Sequence, residues 1–344
     1  MTKTELPPSR PPLSGGSDDA VQPTQNWRGS GQINAGSYTV SRVSFNSAGD
    51  AVVGNLFRPA GPGAGAAVVI LGPVGTVKEQ SPMQYATRLA LAGLTALVFD
   101  PRGIGESEGS PRRWESGARK VDDLRAALAF LATVPGIDPK RLHLLGLCQG
   151  ANWAIAAALA DASVQSLALV AGHYLTPEVC AMYYGSTEAV AARVARGAEA
   201  ERAFATDGTV SYLPIVNDTA TEANPDVLLN FEAGRTYYRP WADRNLFLAH
   251  RGLWENRIAT MSEAELWTTR TDLAMAQLTT PTLMIHADRA ASGPQVPRVL
   301  FDTMPAARKE LVWLGNQTQF QFYEDPITID ATVSHLARFL TAPD

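Results

Sequence analysis

A cysteine between two glycines constrains the fold more than any other stretch of this chain. Residues 142–147 (LHLLGL) form an apolar run typical of a buried parallel strand, and residues 151–160 (ANWAIAAALA) have a helical pattern. Between them stands Gly146-Leu147-Cys148-Gln149-Gly150. A sharp strand-to-helix turn leaves no room for a side chain at its flanking positions, and its central residue takes strained backbone angles. The sequence therefore predicts that Cys148 lies at the apex of such a turn.

The alternative interpretation is a buried structural cysteine, since unpaired cysteine is among the most buried residue types. The order of strand, turn and helix around Cys148 favours the turn. Whether the thiol also reacts is a separate question, which depends on the groups that surround it.

Apolar strands and amphipathic helices alternate along most of the chain. This alternation predicts an α/β fold, with a mostly parallel central sheet and helices on both faces. Ser37–Phe45 and Ala51–Phe57 precede it, and their alternating apolar residues predict a hairpin. The other predicted strands are 66–71, 95–99, 142–147, 166–171, 282–286 and 309–314, and the other predicted helices are 84–91, 121–131, 294–304 and 327–340.

Two segments depart from this alternation. Residues 1–33 are rich in Pro, Gly and Ser and are predicted to be a disordered tail. Between His173 and Leu278, about a hundred residues rich in tyrosine and tryptophan interrupt the pattern, which is too long for a plain connection. We therefore expect a core of residues 34–173 and 279–344, with 174–278 as a helical lid over the carboxyl edge of the sheet.

Composition and charge exclude several classes of partner. The net charge of −5 leaves no basic footprint for nucleic acid, and no run of eighteen apolar residues predicts a membrane span. The N-terminus lacks the apolar segment of a secretory signal, and two cysteines do not indicate a disulfide framework. We expect a cytoplasmic protein without a metal or other cofactor, whose partner is a small molecule.

Three motifs in order resemble those of the α/β-hydrolase family, and in particular its dienelactone-hydrolase-like branch. The Gly-x-Cys-x-Gly turn at Cys148 resembles the nucleophile elbow of that branch. Asp100-Pro-Arg-Gly-Ile-Gly-Glu-Ser107 is similar to the Asp-x-Arg-Gly-x-Gly-x-Ser turn after the family's fourth strand. Leu71–Gln80 is similar to the oxyanion loop after the third strand. The resemblance covers residues 37–341 and implies the α/β-hydrolase fold with a helical lid.

The resemblance also implies two donors for an oxyanion hole. In acyl transfer, negative charge develops on a carbonyl oxygen, and fixed backbone N–H groups stabilise it. The N–H of Gln149 lies at the start of the predicted helix, where the helix dipole assists it. By resemblance, the second donor is the N–H of Val74.

The family's catalytic acid and base are both replaced in this sequence. The acid usually falls at a position that is Ala290 here, so Asp288 could serve only through a shifted loop. The family's histidine falls on Gln319, and a glutamine orients a neighbouring group but takes no proton near neutral pH.

Another histidine could supply the missing base. His173 is the best candidate, because it follows the predicted strand 166–171 and emerges at the same sheet edge as Cys148. His250 in the predicted lid is a weaker candidate. His143 lies inside the elbow strand and His286 at the end of another strand, where we expect packing roles.

Two classes of function follow from this sequence. One is an enzyme that acts through Cys148 on an ester, thioester or lactone-like carbonyl, by acyl transfer, cyclisation, lysis or hydrolysis. The aromatic lid favours an apolar or aromatic substrate. The other is a catalytically inactive relative that binds a ligand, since the same fold hosts many functions. The intact elbow and oxyanion loop favour the enzyme.

Overall fold

The computed structural model describes residues 32–34, 37–61, 63, 65–220, 224, 226–247 and 254–342. Its strands are β1 (Gln32–Asn34), β2 (Tyr38–Ser47), β3 (Asp50–Pro59), β4 (Ala67–Leu71), β5 (Thr95–Phe99), β6 (Leu142–Leu147), β7 (Val164–Val170), β8 (Tyr212–Leu213), β9 (Ile258–Ala259), β10 (Thr282–His286) and β11 (Lys309–Trp313). Its helices are α1 (Ser81–Leu91), α2 (Gly117–Ala132), α3 (Gly150–Ala160), α4 (Pro177–Tyr184), α5 (Thr187–Asp207), α6 (Glu232–Phe247), α7 (Ser262–Leu266), α8 (Thr271–Met275), α9 (Gln295–Thr303), α10 (Gln321–Glu324) and α11 (Pro326–Thr341).

A nine-stranded sheet organises the described residues, in the order β1-β2-β3-β5-β4-β6-β7-β10-β11. The strands β4, β5, β6, β7, β10 and β11 are parallel to one another, whereas β1, β2 and β3 add antiparallel neighbours at one side. Helices cover both faces, so every residue of β4, β5 and β6 is buried. The predicted α/β class and the mostly parallel sheet are confirmed.

The predicted hairpin is confirmed as β2 and β3. They pair antiparallel from Tyr38 opposite Pro59 to Ser47 opposite Asp50. The connecting residues Ala48 and Gly49 both have positive φ, at 49° and 97°, as a tight hairpin turn requires.

The segment 174–278, which we call the insertion, lies between β7 and β10. It contains α4, α5, α6, α7 and α8, together with the small antiparallel pair of β8 and β9. Of the predicted tail, residues 1–31 lie outside the described residues, whereas residues 32 and 33 belong to β1. No helix in the described part of the chain is both long and apolar enough to cross a membrane.

Two glycines make the turn after β6 possible. A Cβ atom on Gly150 would lie 2.5 Å from the carbonyl oxygen of Leu71 and 2.6 Å from that of Gly72. A Cβ atom on Gly146 would lie 2.6 Å from Cα of Ala151. The start of α3 therefore packs directly against the backbone that follows β4, and no side chain fits between them.

We predict that Gly150→Ala destabilises the protein, because the new methyl group meets backbone atoms that cannot rotate away. Overpacking of this kind costs about 1–3 kcal/mol in free energy of unfolding, measurable by urea denaturation. Gly61→Ala is the matched control, since nothing lies within 4 Å of a Cβ atom built there. Equal stability of the two variants would contradict the proposed close packing.

Candidate active site

The Cys148 thiol lies at the carboxyl edge of the sheet and faces a cavity. Cys148 has a φ of 55°, in the left-handed region that residues other than glycine rarely adopt, as predicted for the apex of a strained turn. Its N–H donates to the carbonyl of Val170 at 3.1 Å, which ties the turn to β7. The cavity has a volume of about 340 Å³. Its walls come from strand-end loops and from the insertion, and they include Val74, Cys148, His173, Met182, Tyr183, Phe231, Tyr238, Ala290, Gln319 and Tyr323.

The sulfur is surrounded by neutral hydrogen-bonding groups. The Tyr323 hydroxyl, the Gln319 side chain and the Gln149 backbone N–H all interact with it. Burial nevertheless raises the pKa of the Cys148 thiol to about 11, and these groups offset only part of that effect. In the resting protein the thiol is therefore protonated at neutral pH.

Gln319 lies beside the sulfur, at the position where the resemblance implied a histidine. Its Oε1 accepts a hydrogen bond from the Ala291 N–H at 2.8 Å. Its Nε2 donates to the Ala171 carbonyl at 2.9 Å and to the Tyr323 hydroxyl at 2.7 Å. The amide is thus held on both sides and exchanges no proton near neutral pH.

His173 lines the same cavity, as predicted from its position after β7. Its ring packs against Tyr183 with a centroid distance of 4.7 Å, and its Nδ1 lies 3.4 Å from Nε2 of Gln149. No hydrogen bond joins it to the Cys148 sulfur, and its Nε2 has no partner among the described residues. Burial lowers the pKa of His173 to about 4, so the ring is neutral. The structure therefore places an uncharged imidazole in the cavity without pairing it to the thiol.

The structure does not bring Asp288 to the cavity. Its side chain is exposed and its carboxylate accepts from the Trp313 indole N–H at 2.9 Å. The Asp288 N–H bonds to the Gly315 carbonyl, so the loop directs the side chain towards β11. Ala290, the position that the resemblance implied for the acid, does line the cavity.

His143 and His286 are held away from the thiol by other partners. His143 Nδ1 lies 2.8 Å from the Ser166 hydroxyl inside the sheet. The His286 ring is buried between the carbonyls of Gly172 and Ala287. His250 lies outside the described residues. In the described part of the chain, no cluster of His, Cys, Asp or Glu is arranged to hold a metal ion.

The loop after β4 presents Val74 to the cavity. No hydrogen bond among the described residues engages the Val74 N–H, so it can donate to a ligand oxygen. The adjacent Gly75 N–H donates to Glu115 at 2.9 Å, and Glu115 pairs with the buried Lys120. Tyr238 of the insertion donates to the Val74 carbonyl at 2.9 Å. The two predicted oxyanion donors, Val74 and Gln149, therefore lie on fixed backbone near the sulfur.

A buried ion cluster anchors the far end of this loop. Lys78 is fully buried, and its Nζ lies 2.7 Å from Asp100, 2.6 Å from Glu106 and 2.9 Å from Glu79. Its N–H also donates to Asp100 at 2.8 Å. Burial raises the pKa of Glu79 to about 7, against the opposing charge of Lys78. The cluster joins the loop to the turn that begins at Asp100.

Two groups at the site carry no role in the sequence interpretation. Tyr323 follows Gln319 by four residues, the spacing of neighbours on one helical face. This spacing is the sequence signal that could have placed Tyr323 at the site. Tyr238 lies in the insertion, where no local pattern indicates which aromatic side chain reaches the loop after β4.

Comparisons with known proteins agree with this architecture. The family model described as serine aminopeptidase, S33 matches residues 67–228. The polyketide transferase claH of Penicillium crustosum is 38% identical over 110 residues, 31% of this chain and 36% of that protein. The thiohydrolase apmlB of Arthrinium phaeospermum is 43% identical over 87 residues, 25% of this chain and 28% of that protein.

One solved structure shows how far the likeness extends in three dimensions. The α/β hydrolase GrgF from Penicillium sp. sh18 superposes with a TM-score of 0.68 at 22% identity, covering 88% of this chain and 99% of GrgF. In sequence, the chain matches less than half of the length of the first curated relatives.

We predict that Cys148 reacts slowly with iodoacetamide at neutral pH. Because burial raises the pKa of the thiol to about 11, the alkylation rate should increase about tenfold per pH unit from pH 7 to 10. The experiment uses Cys180→Ser, so that Cys148 is the remaining cysteine, and follows the modified peptide by mass spectrometry. The urea-unfolded protein is the control, and its rate should level off near the ordinary thiol pKa of about 8.5. A plateau below pH 9 in the folded protein would contradict the raised pKa.

Proposed function

Since this chain has the α/β-hydrolase fold, we propose that it is an acyl-transferring enzyme in which Cys148 is the nucleophile and a thioester is the acyl donor. One observation carries the proposal. A thiol at the elbow faces a cavity together with the backbone N–H groups of Val74 and Gln149, and no hydrogen bond among the described residues joins it to an imidazole. The resemblance to the dienelactone-hydrolase-like branch belongs to this proposal.

In the proposed first step, the Cys148 sulfur attacks the thioester carbonyl carbon. Negative charge develops on the carbonyl oxygen, where the N–H groups of Val74 and Gln149 donate to it. The carbon–sulfur bond of the donor then breaks, and the acyl group remains on Cys148. The attacking species is the thiolate form of Cys148, and the departing thiolate takes up a proton from solvent in place of the one that Cys148 lost, so the exchange is neutral overall.

The missing imidazole favours a thioester over an oxygen ester as the donor. An alkoxide is far more basic than a thiolate, so its departure needs a general acid at the site. A departing thiolate is less basic than the thiolate of Cys148, whose thiol has a pKa of about 11, so its departure needs no general acid. The names of the relatives, a polyketide transferase and a thiohydrolase, agree with this class of substrate.

The same feature favours transfer or ring closure over hydrolysis. Water needs a base to attack the acyl-enzyme, and Gln319 cannot act as one. A thiolate or a neutral amine of a second substrate, or of the acyl chain itself, is a far stronger nucleophile than water and depends less on such a base. Nε2 of His173 has no partner in the described structure and lines the cavity, where it can hydrogen-bond this acceptor.

The cavity walls indicate an apolar acyl group. Met182, Tyr183, Phe231 and Tyr238 of the insertion surround the thiol, and the first three are also exposed to solvent. We propose that the insertion acts as a lid over the site, since these side chains separate the thiol from the surface. A cytoplasmic location belongs to the proposal, because an unpaired reactive thiol requires a reducing compartment.

A ligand-binding protein without catalysis is the second candidate. The raised pKa of Cys148 and the exposed position of Asp288 favour it, because neither suits a Cys-His-Asp triad. The two candidates differ in one result, which is whether a covalent acyl group accumulates on Cys148.

We predict that acyl thioesters of N-acetylcysteamine with apolar chains acylate Cys148. Intact-mass and peptide mass spectrometry should show one acyl adduct on Cys148, formed faster than water removes it. Cys148→Ala should carry no adduct but still bind the thioester, and Cys180→Ala is the matched control with unchanged labelling. Binding without any adduct, at donor concentrations that saturate the cavity, would contradict the proposal and favour the ligand-binding protein.

We predict that Ala290→Asp combined with Gln319→His converts transfer into hydrolysis. The loops that carry these positions meet through the bridge between Arg289 and Thr318 and the bond from Ala291 to Gln319, so an imidazole and a carboxylate would lie together beside the sulfur. Release of free acid from the acyl-enzyme should rise about 10²–10⁴-fold, the usual contribution of a general base. Ala290→Asp alone is the control and should not accelerate this step. An unchanged rate in the double variant would mean that something other than the missing base limits hydrolysis.

A further inference from the structure

We propose that the Tyr323 hydroxyl is the hydrogen-bond donor that stabilises the Cys148 thiolate, and that Gln319 sets the direction of this bond. The proposal rests on the proposed function for its catalytic meaning, because it names the group that takes over the part of an imidazolium. The geometry around Tyr323 depends on three hydrogen bonds of Gln319, whose directions determine one another, and on the contact between the hydroxyl and the sulfur.

The first of these bonds orients the Gln319 amide. The Ala291 backbone N–H can only donate, and the atom it faces at 2.8 Å is therefore the amide oxygen of Gln319. The Gln319 nitrogen must then lie on the opposite side of the amide group. The backbone N–H of Ala291 therefore determines which side of the Gln319 amide carries the oxygen.

The next two bonds use the hydrogens of that nitrogen. One is directed to the Ala171 carbonyl at 2.9 Å, which can only accept. The other is directed to the Tyr323 oxygen at 2.7 Å. Tyr323 is therefore an acceptor towards Gln319, and its own proton must be directed elsewhere.

The remaining contact is between Tyr323 and the thiol. Tyr323 and Cys148 line the same cavity and the hydroxyl interacts with the sulfur, whereas its bond with Gln319 uses it as an acceptor. The proton of the hydroxyl is therefore available to the sulfur. When the thiolate forms, it receives this proton as a hydrogen bond from a group that stays neutral.

Packing holds the hydroxyl in this position. Tyr323 is buried on the short helix α10, and its ring lies 5.1 Å from that of Tyr237 and 5.4 Å from that of Phe320. The ring cannot turn away without displacing both neighbours. A donor fixed in a buried site stabilises an anion more than the same donor in water does.

The test measures the thiol pKa without any substrate. In a Cys180→Ser background, Tyr323→Phe keeps the ring and removes only the hydroxyl. It should raise the pKa of Cys148 by about one unit, which slows alkylation by iodoacetamide about tenfold at each pH from 8 to 10. Tyr184→Phe is the matched control, because its hydroxyl donates to the Leu228 carbonyl outside the cavity and should leave the thiol pKa unchanged. Thermal unfolding of each variant checks that the fold is intact.

A second pair of variants tests the part assigned to Gln319. Gln319→Met keeps the size of the side chain and removes the amide, so it should raise the thiol pKa through the loss of its own contact with the sulfur and of the orientation at Tyr323. The double variant Gln319→Met/Tyr323→Phe should then show less than the sum of the two single shifts. Strictly additive shifts would overturn the role of Gln319 as a positioning residue.

The outcomes separate this inference from the proposed function. An unchanged alkylation profile in Tyr323→Phe, or an equal shift in Tyr184→Phe, would overturn the donor role even if Cys148 is acylated. Conversely, a shifted profile in a protein that never forms an acyl adduct would uphold the donor and overturn acyl transfer. If both hold, acylation of Tyr323→Phe at pH 7 should slow by the same factor as alkylation.

Discussion

The left-handed backbone at Cys148 determines where the rest of the site can lie. With φ at 55° for Cys148, the chain leaves β6 and enters α3 after two residues, and the thiol faces the cavity. Gly150 lies against the carbonyls of Leu71 and Gly72, so the turn also fixes the start of the loop that carries Val74. The nucleophile candidate and both candidate oxyanion donors are thereby positioned by one close backbone contact. This geometry explains why a strained conformation is kept at this point of the chain.

Beside this turn, an amide stands where a proton-transferring group would otherwise be expected. Gln319 is held by Ala291 on one side and by Ala171 and Tyr323 on the other, so it orders its surroundings but carries no proton. The thiol has neutral donors around it, and burial raises its pKa. Gln319 offers no base to activate water, so under the proposed function the site favours thioester exchange over hydrolysis.

The insertion completes the site as well as covering it. Tyr238 holds the Val74 carbonyl, and so restrains the residue whose N–H is the candidate oxyanion donor. Tyr237 receives the Ser81 N–H at the start of α1, which ties the same helix of the insertion to the core. Because these contacts join the insertion to the loop after β4, a movement of α6 would change the oxyanion donors together with access to the cavity. The exposed side chains of Met182, Tyr183 and Phe231 lie at the point where a substrate would enter.

The sequence by itself determined the sheet, the order of its helices and the turn at Cys148, because all of these depend on residues that are neighbours along the chain. Apolar runs define strands, and two glycines four residues apart define the elbow. Patterns of neighbouring residues did not predict which side chains surround the sulfur. His173 follows the correct strand, yet its ring packs on Tyr183, and Asp288 lies in the expected loop but is held by Trp313. Tyr323 reaches the thiol because a short helix packs beneath the insertion, between residues that are distant in sequence. Only the tertiary structure decided these contacts, since the direction of a side chain at a loop depends on what packs against it.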